Sequence, residues 1–290
     1  MSTTPETLDK IGNELAAQRF QMLEDIAKEL TAGEVLFPTC FDVAVRIRRL
    51  LDNPNASLEK VAVAISGDPL ISSKLLALAN SAVYAGNGPV RDIKNAIQRL
   101  GLQAVRTASL AIAIQQMMLS RGVVHFDEMS RRLWQHSLLS AAASCVVAKQ
   151  MTRINPDEAF LAGMVHDIGA FYMLYRAAQY PELVARPDTV KYLVIQWHDS
   201  IGQSVLSALG LPEEIVEATR DHDALRDAPP VPKNLSDVVY IGNVLAGAHF
   251  EWLYQDIDSA TVERFALGPQ YLALTDEVEE LGREIGAIFA

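Results

Sequence analysis

Cysteine is scarce in this chain of 290 residues, where only Cys40 and Cys145 occur. The two thiols form no CxxC pair and no framework of close spacings, so neither a disulfide scaffold nor a thiolate zinc site is indicated. We therefore expect a protein of a reducing compartment, the cytoplasm.

Long hydrophobic runs are also missing. The N-terminus has no basic region followed by an apolar core, and the long uncharged stretch at 107–120 is too short and too polar to cross a bilayer. These absences predict a protein that is soluble, is not exported and does not associate with membranes.

Positive charge is in deficit, with 25 Lys and Arg against 36 Asp and Glu and a formal net charge of −11. A field of this sign repels phosphate backbones and anionic bilayers, so we expect no nucleic-acid partner. The local basic cluster of Arg46, Arg48 and Arg49 is interpreted as the solvated face of a helix. Nucleic-acid binding therefore ranks last among the functions considered.

Several motifs of covalent and nucleotide chemistry are absent as well. No glycine-rich phosphate loop follows a strand pattern, and neither GxSxG nor a paired Cys and His occurs. The patterns that remain are helical. With 50% hydrophobic residues the chain is long enough for one large or two small cores.

Helix start signals recur along the chain, at Ser57, at Asp68-Pro69 and at Asn155-Pro156. Such side chains accept hydrogen bonds from the first helical N–H groups, and proline is tolerated in the first turn. We predict an all-α, two-lobed fold. Its parts are a leading amphipathic helix within 1–35, a domain over 36–250 with lobes 36–125 and 126–250, and a helical extension over 251–290. Predicted helices include Val90–Leu100, Gln103–Met118, Leu133–Met151, Asp188–Leu209 (either continuous or interrupted), Pro212–Asp221 and Leu235–Trp252.

Four histidines and one aspartate lie in separate helical segments: His136, His166, Asp167, His198 and His222. His166 and Asp167 follow the apolar run 160–165, which predicts a buried position. A buried carboxylate requires a cation, a cationic partner or strong hydrogen bonds. Because imidazole nitrogen and carboxylate oxygen suit divalent cations, the pattern predicts a metal centre. The alternative for each histidine alone is a hydrogen-bonded core or helix-end residue.

From about Leu36 to Gly247 the chain resembles the HDOD family. Members of this family are output-domain relatives of the HD phosphohydrolases. The resemblance implies an all-helical protein of bacterial signalling, usually regarded as regulatory, whose second lobe is HD-like. The matching motifs are Phe37-Pro38-Thr39, Gly67-Asp68-Pro69-Leu70, Lys74-Leu75-Leu76-Ala77-Leu78-Ala79-Asn80-Ser81, Ala96-Ile97-Gln98-Arg99-Leu100-Gly101, Leu133-Trp134-Gln135-His136-Ser137, Leu161-Ala162-Gly163-Met164-Val165-His166-Asp167-Ile168-Gly169, and His198 with Gly202 before Leu211-Pro212.

In the catalytic HD relatives, a His, a His-Asp pair and a late Asp hold the metal. The resemblance places these ligands at His136, at His166 with Asp167, and at Asn243. An amide oxygen brings no charge, so Asn243 is expected to hold a divalent cation more weakly than a carboxylate and to activate its water less.

The related branch that cleaves cyclic di-GMP adds further groups. It has a His similar to His198, a His-His pair where this chain has Asp221-His222, and a Lys where this chain has Ala170. No Gly-Tyr-Pro stretch occurs here. The missing lysine removes a stabilisation of phosphate charge often worth about 3 kcal/mol. We therefore expect hydrolysis to be slow or absent.

The sequence thus predicts a regulatory signalling protein that acts through protein–protein contacts. Its degenerate HD-type site is expected to bind a divalent metal (Fe, Mn or Zn) or a nucleotide-like or phosphate ligand without efficient turnover, although the metal could also be absent. The alternative is a divalent-metal-dependent phosphohydrolase. The candidate metal ligands are His136, His166, Asp167, His198 and His222, with Asp221 and Asn243 as the weakest.

Overall fold

A computed structural model describes residues 13–32, 46–47, 49–51, 53, 57–84, 88–118, 123–247 and 267–289. All regular structure in these ranges is helical, which confirms the predicted all-α class. In chain order the α-helices are α1 (Asn13–Ala32), α2 (Leu58–Ser66), α3 (Pro69–Ala79), α4 (Ile93–Met118), α5 (Asp127–Met151), α6 (Pro156–Val165), α7 (Ile168–Ala177), α8 (Pro181–Val184), α9 (Pro187–Ala208), α10 (Glu213–Ala218), α11 (Leu235–Leu245), α12 (Pro269–Leu272) and α13 (Thr275–Phe289).

The predicted caps begin the helices as expected. The carboxylate of Asp68 accepts the backbone N–H groups of Leu70 and Ile71 at 2.9 Å each, which starts α3. Asn155 accepts the N–H of Asp157 at 2.9 Å and starts α6. Each cap satisfies donors that have no carbonyl partner within the helix. Local side-chain chemistry therefore sets these boundaries.

A glycine divides α4 into two segments. Gly101 has φ 79° and ψ 162°, a backbone conformation that residues with a Cβ rarely adopt. The break falls between the two helices predicted for this stretch, so that prediction is confirmed. The second segment contains Ala111, Ile112, Ala113 and Ile114, each 0% exposed, as its apolar sequence predicts.

The two lobes share one apolar core. The continuous core joins Ile65 and Leu75 of the first lobe to Val165, Ile168 and Leu206 of the second. Helix α4 makes this possible because it packs against α2 and α3 on one side and against α6 and α7 on the other. Of the two arrangements open from the sequence, the described residues show one large core rather than two small ones.

The leading helix α1 packs on the second lobe. The guanidinium of Arg176, on α7, forms an ion pair with Glu29. The hydroxyl of Tyr172 donates to the same carboxylate at 3.1 Å, and Tyr180 donates to Asp25 at 2.6 Å. Because Arg176 is only 3% exposed, its charge depends on this contact. The amphipathic helix predicted from the sequence therefore forms part of the folded unit.

The C-terminal helix α13 covers α5 from the other side. The ring of Phe289 meets Trp134 edge-on with 5.6 Å between centroids, and Val278 and Ile285 of the same helix are also buried. Helices α1 and α13 thus both pack on the second lobe.

Some predicted boundaries differ from the structure. Helix α5 begins at Asp127, six residues before the predicted start at Leu133. Two acidic residues in its first turn stabilise this end of the helix by interacting with the helix dipole. Helix α9 is continuous. Helix α11 ends at Leu245, and the rest of the predicted helix to Trp252 lies largely outside the described residues, as do the predictions for 1–12 and most of those for 33–56.

Among the described residues, no single helix is both long and apolar enough to cross a membrane. The pair α2 and α3 reaches the required hydropathy only when counted together, and these helices meet at a bend of 118°.

The contact between α1 and Arg176 yields a stability prediction. In Glu29→Gln, the buried guanidinium loses its countercharge, and breaking such a pair costs about 3 kcal/mol. Urea unfolding followed by circular dichroism should show this decrease in the free energy of unfolding. The matched variant Glu24→Gln removes an exposed ion pair with Lys28 and should leave the free energy of unfolding almost unchanged. Equal effects of the two variants would contradict the proposed role of Glu29.

Candidate metal centre

Two helices and two turns bring the predicted site residues to one place. His136 projects from α5 and His198 from α9, while His166 and Asp167 lie in the turn between α6 and α7. His222 follows α10. All five are between 1% and 6% exposed. The structure therefore brings together the five residues that the sequence singled out first.

A first group of donors consists of His136, His166 and Asp167. The Nε2 atoms of the two histidines are 3.1 Å apart. Oδ2 of Asp167 lies 3.2 Å from Nε2 of His166 and 3.7 Å from Nε2 of His136. One carboxylate oxygen and two imidazole nitrogens thus converge on one point.

A second group uses the other oxygen of the same carboxylate. Oδ1 of Asp167 lies 3.3 Å from Nε2 of His222 and 3.7 Å from Nε2 of His198. The two histidine nitrogens are 3.3 Å apart. Asp167 therefore stands between the groups and is common to both.

The spacing of these atoms suits bound cations. Ligands about 2.1 Å from a divalent cation lie roughly 3.0–3.4 Å from each other in octahedral or tetrahedral arrangements. Most of the donor distances in both groups fall in or near this range. The donor set fits two divalent cations that share the Asp167 carboxylate.

Backbone carbonyls fix the orientation of three of the rings. Nδ1 of His166 lies 2.7 Å from the carbonyl oxygen of Gly163, and Nδ1 of His222 lies 2.7 Å from that of Thr219. For His198 the partner is Val194, at 2.9 Å. An Nδ1–H that donates to a carbonyl leaves the Nε2 lone pair for a cation. In all three, Nε2 points into the cluster.

The ring of His136 has a different neighbour. The side chain of Asn243 lies nearby and favours the protonated ring. Burial and the neighbouring His166 outweigh that influence and lower the pKa of His136 to about 4. His136 is therefore a neutral imidazole at physiological pH, the form that binds a metal.

Protonated histidine balances the aspartates when no cation is present. Burial opposes charge on His222, but Asp223 and Asp167 raise its pKa to about 10. Burial likewise opposes charge on Asp167, yet His166 and His222 hold its pKa well below the usual range. A bound cation would take over the role of the proton on His222.

Glycines allow the helices to approach closely enough for the groups to form. A Cβ on Gly169 of α7 would collide with the backbone carbonyl of His198 and lie 2.6 Å from the backbone nitrogen of Gly202, on α9. The contact places the start of α7, just after Asp167, directly against the turn of α9 that carries His198. The glycine of the His166-Asp167-Ile168-Gly169 motif is therefore required by packing.

Small residues on α5 serve the same purpose on the other side. A Cβ on Gly242 of α11 would come within 3.0 Å of the backbone nitrogen of Ser144 and 3.1 Å of the carbonyl oxygen of Ser140. Gly163 of α6 approaches the same two serines. Helices α6 and α11 therefore both pack closely against this part of α5.

The structure does not bring Asp221 into the cluster. Asp221 is exposed and has φ 52°, so the chain turns sharply here. Its backbone N–H donates to Asp199 at 3.4 Å. Asp223 reaches the site instead, with Oδ2 at 3.2 Å from Nε2 of His198 and 3.7 Å from Nε2 of His222.

A pattern in the sequence indicates that Asp223 belongs to the site, although the family motifs do not include this residue. Three of the clustered histidines are each followed directly by an aspartate, as His166-Asp167, His198-Asp199 and His222-Asp223. The recurring dipeptide marks the aspartate after His222, rather than the one before it, as the counterpart of Asp167. The turn at Asp221 that decides between them is not evident from the sequence.

The side of the cluster nearest to solvent is acidic. The Asp223 side chain is 15% exposed and that of Asp199 is 33% exposed, whereas those of the histidines beside them are at most 4% exposed. Within the described part of the chain, the ion pairs of the cluster join histidine to aspartate only. Ala170, at the position of the lysine in the catalytic branch, is fully buried.

A family model described as the HDOD domain matches residues 37–225. This chain belongs to the HDOD domain family. The resemblance drawn from its motifs is thereby confirmed, and the matched range contains every residue of the two donor groups. Asn243 lies beyond it.

Solved structures share the fold of this HDOD chain. A Shewanella amazonensis SB2B protein named "Putative metal-dependent phosphohydrolase" is 26% identical and has a TM-score of 0.70, covering 94% of this chain and 100% of that one. An HDOD domain protein of unknown function from Geobacter sulfurreducens is 21% identical, with a TM-score of 0.60 and coverages of 91% and 97%. A Marinobacter aquaeolei VT8 protein named "Putative signal transduction protein" is 20% identical, with a TM-score of 0.57 and coverages of 97% and 66%.

A sequence relative from Treponema pallidum (strain Nichols), described as an uncharacterized protein, is 24% identical over 213 residues. The match covers 69% of this chain but only 40% of that relative. The matched part of this HDOD chain therefore spans less than half the length of that relative.

The close contact between α7 and α9 yields a second prediction. Gly169→Ala should destabilise the fold by about 3 kcal/mol, since the added methyl group meets backbone atoms that have no room to move. Urea unfolding measures the effect. Gly286→Ala, on α13 with open space around the new Cβ, is the matched control and should not reduce stability. A Gly169→Ala protein as stable as the control would contradict the packing described for this contact.

Proposed function

We propose that this HDOD chain is a regulatory signalling protein whose second lobe binds two divalent cations and acts on partner proteins rather than by rapid turnover. The observation that carries this proposal is the convergence of four buried histidines on the two oxygens of Asp167. The family resemblance implies the regulatory role. A structural neighbour that is named as a signal transduction protein is consistent with it, although that likeness shows the fold alone.

The donor chemistry supports cation binding. Nε2 atoms and carboxylate oxygens suit Mn(II), Fe(II) and Zn(II). The Nδ1 hydrogen bonds to Gly163, Val194 and Thr219 fix the orientation of three rings before a cation binds. Preorganised ligands reduce the entropy lost when the cation binds. A site of this kind couples cation occupancy to the packing of the helices that carry the ligands.

Three features argue against efficient phosphoester hydrolysis. Ala170 brings no cation to stabilise charge that develops on a phosphate, and Asn243 brings no negative charge to a metal-bound water. The carboxylates of Asp199 and Asp223 stand on the more exposed side of the site. An anionic substrate would meet like charge on its approach.

We further propose that the functional unit extends over 36–250, beyond the matched range. Helix α11 packs on α5 and carries Asn243, whose amide contacts the residues of the second donor group. The second lobe would lack one wall of the site without this helix.

A divalent-metal-dependent phosphohydrolase is the second candidate. It is supported by the shared-carboxylate arrangement, which in two-metal enzymes can present a water to a phosphorus atom, and by the name of the Shewanella protein of similar fold. For this function, the candidate ligands hold the metal as they do in the catalytic HD relatives, and a nucleotide or phosphate ester is the substrate.

Cation binding gives the third prediction. Protein purified without chelator, or loaded with Mn(II), should contain two equivalents by elemental analysis. Mn(II) at 100 times its Kd should raise the free energy of unfolding by about 2.7 kcal/mol for each site. Asp167→Asn removes the shared charge and should abolish both effects, whereas Asp221→Asn should preserve them. An unchanged melting temperature with Mn(II), Fe(II) and Zn(II) would contradict the proposal.

Turnover separates the two candidate functions and is the fourth prediction. The Mn(II)- or Fe(II)-loaded protein is expected to hydrolyse neither cyclic dinucleotides nor a chromogenic phosphodiester above the level of the His166→Ala variant. Liquid chromatography of the nucleotide products provides the measurement. Turnover that is present in the wild type and lost in His166→Ala would favour the phosphohydrolase and exclude the purely regulatory function.

A further inference from the structure

We infer that Asp223 is a fourth donor of the second group and that Asn243 is the residue that positions it. The inference rests on the proposed cation binding. It adds Asp223 and Asn243, neither of which belongs to the two donor groups described above. It gives the second group two imidazoles and two carboxylates, and it explains the amide at Asn243 by a hydrogen bond.

Asp223 has the geometry of a donor. Its Oδ2 lies 3.2 Å from Nε2 of His198 and 3.7 Å from Nε2 of His222, the same distances that Asp167 keeps from the histidines of the first group. Two aspartates thus face the same pair of Nε2 atoms, because Oδ1 of Asp167 contacts both His198 and His222. A cation between the two rings would be within reach of both carboxylates.

Asn243 holds the other oxygen of Asp223. Its Nδ2 donates to Oδ1 of Asp223 at 3.0 Å and to the backbone carbonyl oxygen of His222 at 3.2 Å. Both partners are acceptors only, so the amide must present its NH₂ group to them. These two bonds clamp the His222-Asp223 dipeptide against α11.

A carboxylate at position 243 would lose both of these bonds. It has no proton to offer at neutral pH, and it would place a second negative charge beside Asp223. The amide is therefore suited to this neighbour, and the negative charge that the second group needs is supplied from Asp223. Two carboxylates and two imidazoles suit Mn(II) and Fe(II), which accept oxygen and nitrogen ligands together.

The donor role is tested by removing one charge from either of two neighbouring aspartates. In Asp223→Asn, we expect isothermal titration with Mn(II) to show one site weakened by about tenfold to a hundredfold and the other unchanged. Asp221→Asn removes an equal charge from the same turn, and asparagine tolerates its positive φ, so both sites should keep their affinity within twofold. Equal affinities in Asp223→Asn and Asp221→Asn would overturn the donor role.

The role of Asn243 is tested by whether the substitution Asn243→Asp weakens or strengthens Mn(II) binding. If Asn243 positions Asp223, Asn243→Asp weakens Mn(II) binding about tenfold or more, since the hydrogen bonds are lost and the carboxylates repel each other. If Asn243 is instead a weak ligand of the first group, the added charge strengthens binding. Tighter binding in Asn243→Asp would therefore overturn the positioning role.

A measurement on chelator-treated protein separates this inference from cation binding itself. Nuclear magnetic resonance of the ¹⁵N-labelled protein should show the side-chain NH₂ signals of Asn243 shifted in Asp223→Ala and unchanged in Asp221→Asn. Signals that are identical in Asp223→Ala and wild type would overturn the positioning role even if the wild type binds two cations. A wild type that binds no Mn(II) would refute the proposed function and the donor role, while the NH₂ signals would still decide the link between Asn243 and Asp223.

Discussion

The negative charge of Asp167 has to be balanced at the centre of a helical lobe, where the residue is only 4% exposed. A carboxylate placed there without compensation would cost several kcal/mol, on the order of a sizeable part of the stability of a domain. The chain meets this requirement with four imidazoles drawn from α5, α9 and two turns. The close helix contact at Gly169 follows from the same need, because only a residue without a side chain lets the start of α7 approach the turn of α9 that carries His198.

Much of this architecture is determined locally and could be predicted. Caps such as Asp68 and Asn155 act within three residues, and Gly101 breaks α4 through its own backbone angles. The burial of Asp167 follows from the apolar run before it. In each of these cases the cause lies within a few residues of its effect, so the sequence pattern contains the whole argument.

The remaining features depend on how distant segments meet. Whether Asp221 or Asp223 faces the histidines is decided by one positive φ in the turn after α10, and both residues flank His222 in the sequence. The role of Asn243 likewise depends on the approach of α11 to that turn, about 20 residues away in sequence. Comparison with family motifs aligns positions, but it does not show that a charge absent at one position is present at a neighbouring one in space.

The Nδ1 hydrogen bonds of the histidines are local in sequence, and most of their Nε2 contacts are not. Each of these bonds joins a histidine to a carbonyl three or four residues earlier, whereas the Nε2 contacts between different segments join residues 24 to 55 positions apart. An isolated helical turn can therefore orient its imidazole, but only the assembled lobe can make the imidazoles converge. A cation bound by these imidazoles would therefore report that the helices have packed together, and not merely that each helix has formed.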